Sequence, residues 1–315
     1  MVPDSAPRSA SSRLSPRVSR IARAEEIHLH AVPSVGKTRC TAPTVGVVMP
    51  TLNEVDNLAP VIQGLPACVT EIIVVDGRST DDTVQVALDA DPRVRVILER
   101  RRGKGAAMLS GFACVTADLI VAIDADGSMD PAEVSLFQAT LARGYDLVKG
   151  SRAAVGGSSE DFSRTRRLGN AALTRLANTL HGTHWSDMCY GYFGFWRDVL
   201  PTLDIRPASL TARAVVEQLK LEATLAAHAS VGDNLVYGDG FEIETVLLLR
   251  AARGGLRIAE VPSREAPRNM GTSNLRVVRD GTRVLGAIGR ERARRAPNSG
   301  GFATGTPAAM NRSNR

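Results

Sequence analysis

Glu71-Ile-Ile-Val-Val-Asp76 is a short apolar run that stops on a carboxylate, and what surrounds it decides the fold. Its length, its β-branched residues and its lack of polar alternation describe a strand covered on both faces. Upstream, residues 45–49 form a similar run broken by Pro50, with a helical pattern over 54–65. Downstream, Ser79 or Thr80 is placed to cap a helix whose first turn carries Asp81 and Asp82. Residues 93–98 read as a third strand, 103–114 as a helix of small residues, and 118–123 as a fourth strand ending at Asp124. Pro131 opens the next helix, and 146–149 make a fifth strand. Strands alternating with helices predict an α/β chain, a mostly parallel sheet flanked by helices. Ligands of such sheets gather at the carboxyl ends of the strands. Those ends carry Pro50-Thr-Leu-Asn-Glu54, Asp76 and Asp124-Ala-Asp126.

Beyond residue 150 the pattern loosens. A loop rich in Gly and Ser over 153–161 precedes a helix over 166–180 and an aromatic cluster, Tyr190-Gly-Tyr-Phe-Gly-Phe-Trp196. Residues 204–234 read as helical in part, 240–250 as a helix, 257–261 as a strand and 273–288 as an amphipathic helix. The chain is 43% hydrophobic but only 4% aromatic, so the core is expected to be mainly aliphatic. The net charge of +6 belongs to the ends. Residues 1–43 hold seven Lys/Arg against three Asp/Glu, and 284–315 hold six Arg against one Glu, so the centre is weakly acidic. A folded basic groove for nucleic acid is therefore not expected, whereas a basic tail touching acidic lipid headgroups stays open. The four cysteines are scattered without metal-ligand spacing, as in a reducing cytoplasm. The arginine-bearing N-terminus lacks a following apolar segment and reads as a disordered leader, and no stretch is apolar enough to cross a bilayer.

The sharpest chemical feature is Ile123-Asp-Ala-Asp-Gly-Ser128. Two carboxylates one residue apart face the same way only if the chain turns, and Gly127 permits that turn. Hard cations, Mg²⁺ or Mn²⁺, favour such oxygen ligands and keep positions open for phosphate oxygens.

With these residues in place the chain resembles the family 2 glycosyltransferases of GT-A fold, which have a Rossmann-like nucleotide-sugar domain. Val47-Val-Met-Pro-Thr-Leu-Asn-Glu54 looks like their opening strand, and Ile73-Val-Val-Asp-Gly-Arg-Ser-Thr-Asp-Asp-Thr83 like their second block. Arg102-Gly-Lys-Gly-Ala-Ala107 and Asp124-Ala-Asp126 complete the donor half in the same order. The resemblance implies an inverting transfer of a hexosyl group from a nucleotide diphosphate sugar, UDP favoured and GDP open. It implies that Pro50, Glu54 and Asp76 hold base and ribose, that Lys104 lies near the nucleotide, and that Asp124 and Asp126 bind the metal. Two departures stand out: Gly77 where the family usually has a second Asp, and Ser128 where the lipid-phosphate branch often has Gln.

The remainder is similar to the dolichol-phosphate and polyprenyl-phosphate sugar synthases. Gly150-Ser-Arg152, Arg166-Arg-Leu-Gly-Asn170, Ser186-Asp-Met-Cys-Tyr-Gly191 and Arg264-Glu-Ala-Pro-Arg-Asn-Met-Gly-Thr-Ser273 carry that likeness. It implies an acceptor phosphate gripped by Arg152, Arg166, Asn170, Arg268 and Ser273, although Asn274 replaces the usual Lys. The expected organisation is a disordered basic leader 1–43 and a GT-A domain 44–283, with donor half 44–150 and acceptor half 151–283. A basic tail 284–315 begins with the end of the last helix.

A hydroxyl acceptor would need a general base, and Asp187 in its apolar setting is the candidate, its pKa raised by burial. A phosphate acceptor would need none. Glu242 and Glu244 are a second pair on opposite sides of a helix, with Glu242 placed toward the site. Two other readings stay open, a sugar-phosphate nucleotidyltransferase and a non-catalytic nucleotide-sugar binding module. The first would need a Gly-rich basic loop where Pro50–Glu54 stands, and the second would not need both carboxylates. The expected location is cytoplasmic, with peripheral contact at the inner face of the membrane through the amphipathic C-terminal stretch. Oligomeric state is not readable from the sequence.

Overall fold

The computed structural model describes residues 28–30, 39–204, 213–216, 237–271 and 276–294. Four parallel strands form its centre: β2 (Val45–Thr51), β3 (Val69–Asp76), β4 (Val94–Glu99) and β5 (Leu119–Ala122). They lie in the order β5-β2-β3-β4. Almost every residue of these strands is buried, because helices cover both faces and leave no polar side. Helices α1 (Leu58–Gln63), α2 (Thr83–Ala90), α3 (Lys104–Phe112) and α4 (Val134–Ala142) make the crossovers.

The predicted fifth strand, β6 (Leu147–Ser151), does not lie beside β5. The two are separated by an antiparallel strand from the aromatic cluster, numbered β8 (Phe193–Trp196) because a two-residue strand, β7 (Ser158–Ser159), precedes it. The aromatics pack as core, as part of the sheet itself. Phe195 pairs with Ile120 on one side and Leu147 on the other, and its ring meets Phe112 edge-on at 5.3 Å. β10 (Ile258–Pro262) extends the sheet parallel to β6, and β11 (Arg264–Glu265) pairs with β7.

Both edges depart from expectation. His28–His30, placed by sequence in the leader, forms β1 antiparallel to β10. Arg213–Val216, inside the stretch read as partly helical, forms β9 antiparallel to β4. The rest of 205–236 lies outside the described residues.

Three further helices close the molecule: α5 (Arg164–His181), α6 (Ile243–Arg253) and α7 (Val277–Ala293). α7 packs on the other two. Arg283 pairs with Glu242, the buried Glu291 carboxylate takes Arg250 and Arg253, and His181 Nε2 lies 3.1 Å from the Ile288 carbonyl. The helix thus continues past residue 283 as a packed element. Elsewhere helix ends shift for identifiable reasons. α2 begins at Thr83 because Ser79 and Thr80 are already used. The Ser79 hydroxyl accepts from the Asn53 N–H, the Thr80 N–H donates to Asn53 Oδ1, and Asp81 caps Thr83.

Candidate active site

The carboxyl ends of β2, β3 and β5 open on one cavity of about 1380 Å³. Pro50, Glu54, Gly77, Arg78, Asp124 and Asp126 contribute to its wall. Past β5 the chain turns through Gly127, whose φ of 77° suits glycine. A Cβ there would also collide with the Asn269 side-chain amide. The turn is fixed by Asp126 Oδ1, which accepts from the Ser128 N–H at 3.0 Å and hydroxyl at 2.7 Å. Asp124 and Asp126 are thereby held at the mouth of one cavity, as the spacing predicts.

Both are already matched by cations. Lys104, the first residue of α3, places Nζ 2.7 Å from Asp124 Oδ1 and 2.7 Å from Glu244 Oε1. Arg268 bridges Glu54 at 2.9 Å and Asp126 at 3.2 Å. Four carboxylates thus face two cations, a local negative excess that suits a divalent ion. Burial pushes Asp124 up, Lys104 opposes that, and Asp126 and Glu244 add to it, leaving the carboxyl at about 6. Burial also raises Glu54, against the hydrogen bond from Asn57 and the charge of Arg268. Lys104 is held above its ordinary value, since Asp124 and Glu244 outweigh its burial. Among the described residues no group of three His, Cys, Asp or Glu side chains could hold a metal by itself. Asp124 and Asp126 supply an oxygen pair that would leave further positions for phosphate oxygens.

Several sequence expectations are revised. Asp76 is 1% exposed and does not line the cavity; its carboxylate accepts from the Arg78 and Ser79 N–H groups and shapes the turn that brings Gly77 and Arg78 to the wall. Asp187 is not a poised base. Burial alone would raise it, but the Lys149 charge and hydrogen bonds from Arg152 prevail and hold it at about 2. It is fully buried, bound through both oxygens to Arg152 at 2.7 and 3.0 Å and to Asn170 Nδ2 at 2.9 Å. Arg152, expected to grip phosphate, spends its donors on Asp187, Glu265 and the Cys189 carbonyl, and stacks 4.5 Å from the Tyr190 ring centroid. Arg152 and Asn170 do line the cavity, and the enclosed Asp187 behind them ties β6, α5 and the loop before β8 together.

Glu242 turns away to Arg283, and Glu244 takes its expected place at the cavity. Two positions along a helix are about 200° apart, so only one of the pair can face inward. Arg166 does line the cavity, paired with Asp161 at 2.7 Å. Ser273 lies outside the described residues. Arg102, Phe241, Glu265, Arg276 and Arg279 also line the site and were not singled out from sequence. Arg102 opens the donor motif 102–107 and Glu265 lies within 264–273, but neither was given a role, and nothing local marked Phe241, Arg276 or Arg279.

Comparison with known proteins agrees with this architecture. The profile described as "Glycosyl transferase family 2" matches residues 46–203. An uncharacterized glycosyltransferase of Mycobacterium tuberculosis is 32% identical over 231 residues, covering 73% of this chain and 89% of that protein. The polyprenol monophosphomannose synthase of Mycolicibacterium smegmatis is 32% identical over 244 residues, covering 73% of this chain and 80% of the relative. Among solved structures, glucosyl-3-phosphoglycerate synthase from Mycobacterium tuberculosis, in complex with Mn²⁺, uridine diphosphate and phosphoglyceric acid, superposes with a TM-score of 0.56. That alignment covers 82% of this chain and 81% of the other at 22% identity, a likeness of fold. Sheet order and cavity placement are those of an α/β fold of the GT-A type. The chain belongs to glycosyl transferase family 2.

Proposed function

We propose that this chain transfers a hexosyl group, with inversion, from a nucleotide diphosphate sugar, UDP favoured, to a polyprenyl phosphate. The observation that carries the donor side is the convergence of Asp124, Asp126 and Glu54 on one cavity beside Lys104 and Arg268. Asp124 and Asp126 would hold Mg²⁺ or Mn²⁺, whose part is to neutralise charge developing on the departing diphosphate. Pro50, Gly77 and Arg78 line the same cavity, where base and ribose would sit.

The acceptor reading rests on two features. First, the carboxylate best placed by sequence to deprotonate a hydroxyl, Asp187, is enclosed and held at about 2. A phosphate acceptor arrives as an anion and needs no base. Second, the cavity continues between α5 and α7, with Leu173, Val284 and Leu285 as apolar wall and Arg166, Arg276 and Arg279 as cations. That pairing suits a phosphate with a hydrocarbon tail. Among the described residues no helix is long and apolar enough to cross a membrane. The exposed Leu168 and Val278, with neighbouring arginines on both helices, support peripheral contact with an acidic membrane surface.

The test is transfer from labelled UDP- and GDP-hexoses, with Mn²⁺, to a short polyprenyl phosphate in detergent and, separately, to 3-phosphoglycerate. We expect label in the organic phase, and none from Asp126→Ala purified with an unchanged circular dichroism spectrum. Label reaching only the soluble acceptor would overturn the lipid assignment. Near-normal transfer by Asp126→Ala would overturn the metal assignment.

A further inference from the structure

Glu244 lies at the seam between the two halves, and nothing in the donor or acceptor reading uses it. It sits in the first turn of α6, where the helix dipole favours an anion, and its side chain is only 8% exposed. Oε1 accepts from Lys104 Nζ, while the same ammonium lies 2.7 and 2.9 Å from the two oxygens of Asp124. Other groups fix this arrangement. Gly103, at a φ of 114°, leads the chain into α3 so that Lys104 starts the helix at the cavity. The Phe241 ring centroid lies 5.6 Å from Nζ. Gly191 approaches so closely that a Cβ there would collide with Glu244 Oε1 and lie 2.7 Å from Nζ. One half-buried ammonium is therefore shared between a carboxylate assigned to the metal and a carboxylate with no other assignment.

We propose that Glu244 is a positioning residue of the donor site, receiving the Lys104 ammonium when a divalent cation takes Asp124. The inference deepens the proposed function and rests on its metal assignment. A cation arriving at Asp124 must share or displace the ammonium already paired there. With Glu244 charged, the ammonium keeps a buried partner throughout, and no stranded charge opposes the exchange. Without that charge, Lys104 has Asp124 as its remaining close carboxylate, and the two cations compete for it. Loss of Glu244 should therefore weaken cation binding through Lys104.

A double-mutant cycle on Mn²⁺ affinity tests this, reading free Mn²⁺ by electron paramagnetic resonance with the full chain and neither donor nor turnover. The four proteins are wild type, Glu244→Gln, Lys104→Met and the double variant. Groups in one ion-pair network usually couple strongly enough to change an affinity about tenfold. Glu244→Gln is expected to weaken Mn²⁺ binding by about that factor in the wild-type background, and by less than about twofold when Lys104 is Met. Unchanged affinity in Glu244→Gln overturns the proposal. So does an equal loss in both backgrounds, which would mean that Glu244 acts on the cation directly. Should Glu244→Gln not fold, Glu244→Asp enters the same cycle, with a smaller loss of the same sign. Wild-type chain that binds UDP but no Mn²⁺ at any concentration would instead remove the metal assignment beneath both readings.

Discussion

The Arg152–Asp187 pair shows why a carboxylate's sequence context misleads about its chemistry. Asp187 stands beside aromatics and looks like a base tuned upward, yet the cations that settle its state, Lys149 and Arg152, come from β6 and its end, more than thirty residues earlier. Nothing local announces them. Removing one member of a buried pair typically costs about 3–5 kcal/mol. Asp187→Asn should therefore lower unfolding free energy by about 3 kcal/mol in denaturant titration at neutral pH. Because the folded pKa lies below the ordinary value of 3.8, this stabilisation is present above that pH and fades as pH falls through about 2. A variant as stable as wild type at pH 7 would contradict the pairing. The D-x-D turn is the opposite case. Its carboxylates, its glycine and its position after a strand are all contiguous, so the sequence reveals its geometry.

Elements were readable wherever hydrophobic pattern and local punctuation agreed, as they do from β2 through β6. They were not readable as elements where a partner distant in sequence sets the outcome, as with β8, whose register is dictated by β5 and β6. The junction of β10 and β11 is another such place. Glu133, in the 3-10 turn before α4, accepts from the Ser263 hydroxyl at 2.5 Å and the Arg264 N–H at 3.0 Å. The Tyr190 hydroxyl lies 3.1 Å from Ser263 Oγ, continuing the network to the cavity. Burial outweighs those hydrogen bonds and pushes Glu133 up from 4.5 to about 7. The folded state then holds this proton more tightly than the unfolded state. The contribution is complete below pH 4.5 and is lost as pH rises through 7, on the order of 3 kcal/mol in all. Glu133→Gln should flatten the fall in melting temperature between pH 5 and 8. An identical slope in the variant would show that Glu133 does not carry it.

At the scale of the molecule, one face combines exposed leucines with arginines. α5 carries Arg164, Arg167 and Arg175 with exposed Leu168 and Leu176, and α7 adds Val278, Leu285 and Arg279 around the cavity mouth. Flotation with phosphatidylglycerol vesicles at 50 mM salt should recover the chain, phosphatidylcholine vesicles should not, and 500 mM salt should release it. Leu168→Glu with Leu176→Glu, both outside the cavity wall, should weaken recovery several-fold. Equal recovery on neutral lipid would rule out the electrostatic part. The α/β class, the donor wall and part of the acceptor wall (Arg152, Arg166 and Asn170) were thus legible in the sequence, whereas the α7 residues that complete that wall, Arg276, Arg279, Val284 and Leu285, were not, because nothing local ties them to a site so far back in the chain. The placement of β8 bears on how the protein is made. During synthesis the edge of β5 waits about seventy residues, and that of β6 about forty, for Phe193–Trp196 to leave the ribosome and fill the gap. A nascent chain halted near residue 150 therefore presents bare strand edges to its neighbours, and a truncation there should be recovered from inclusion bodies.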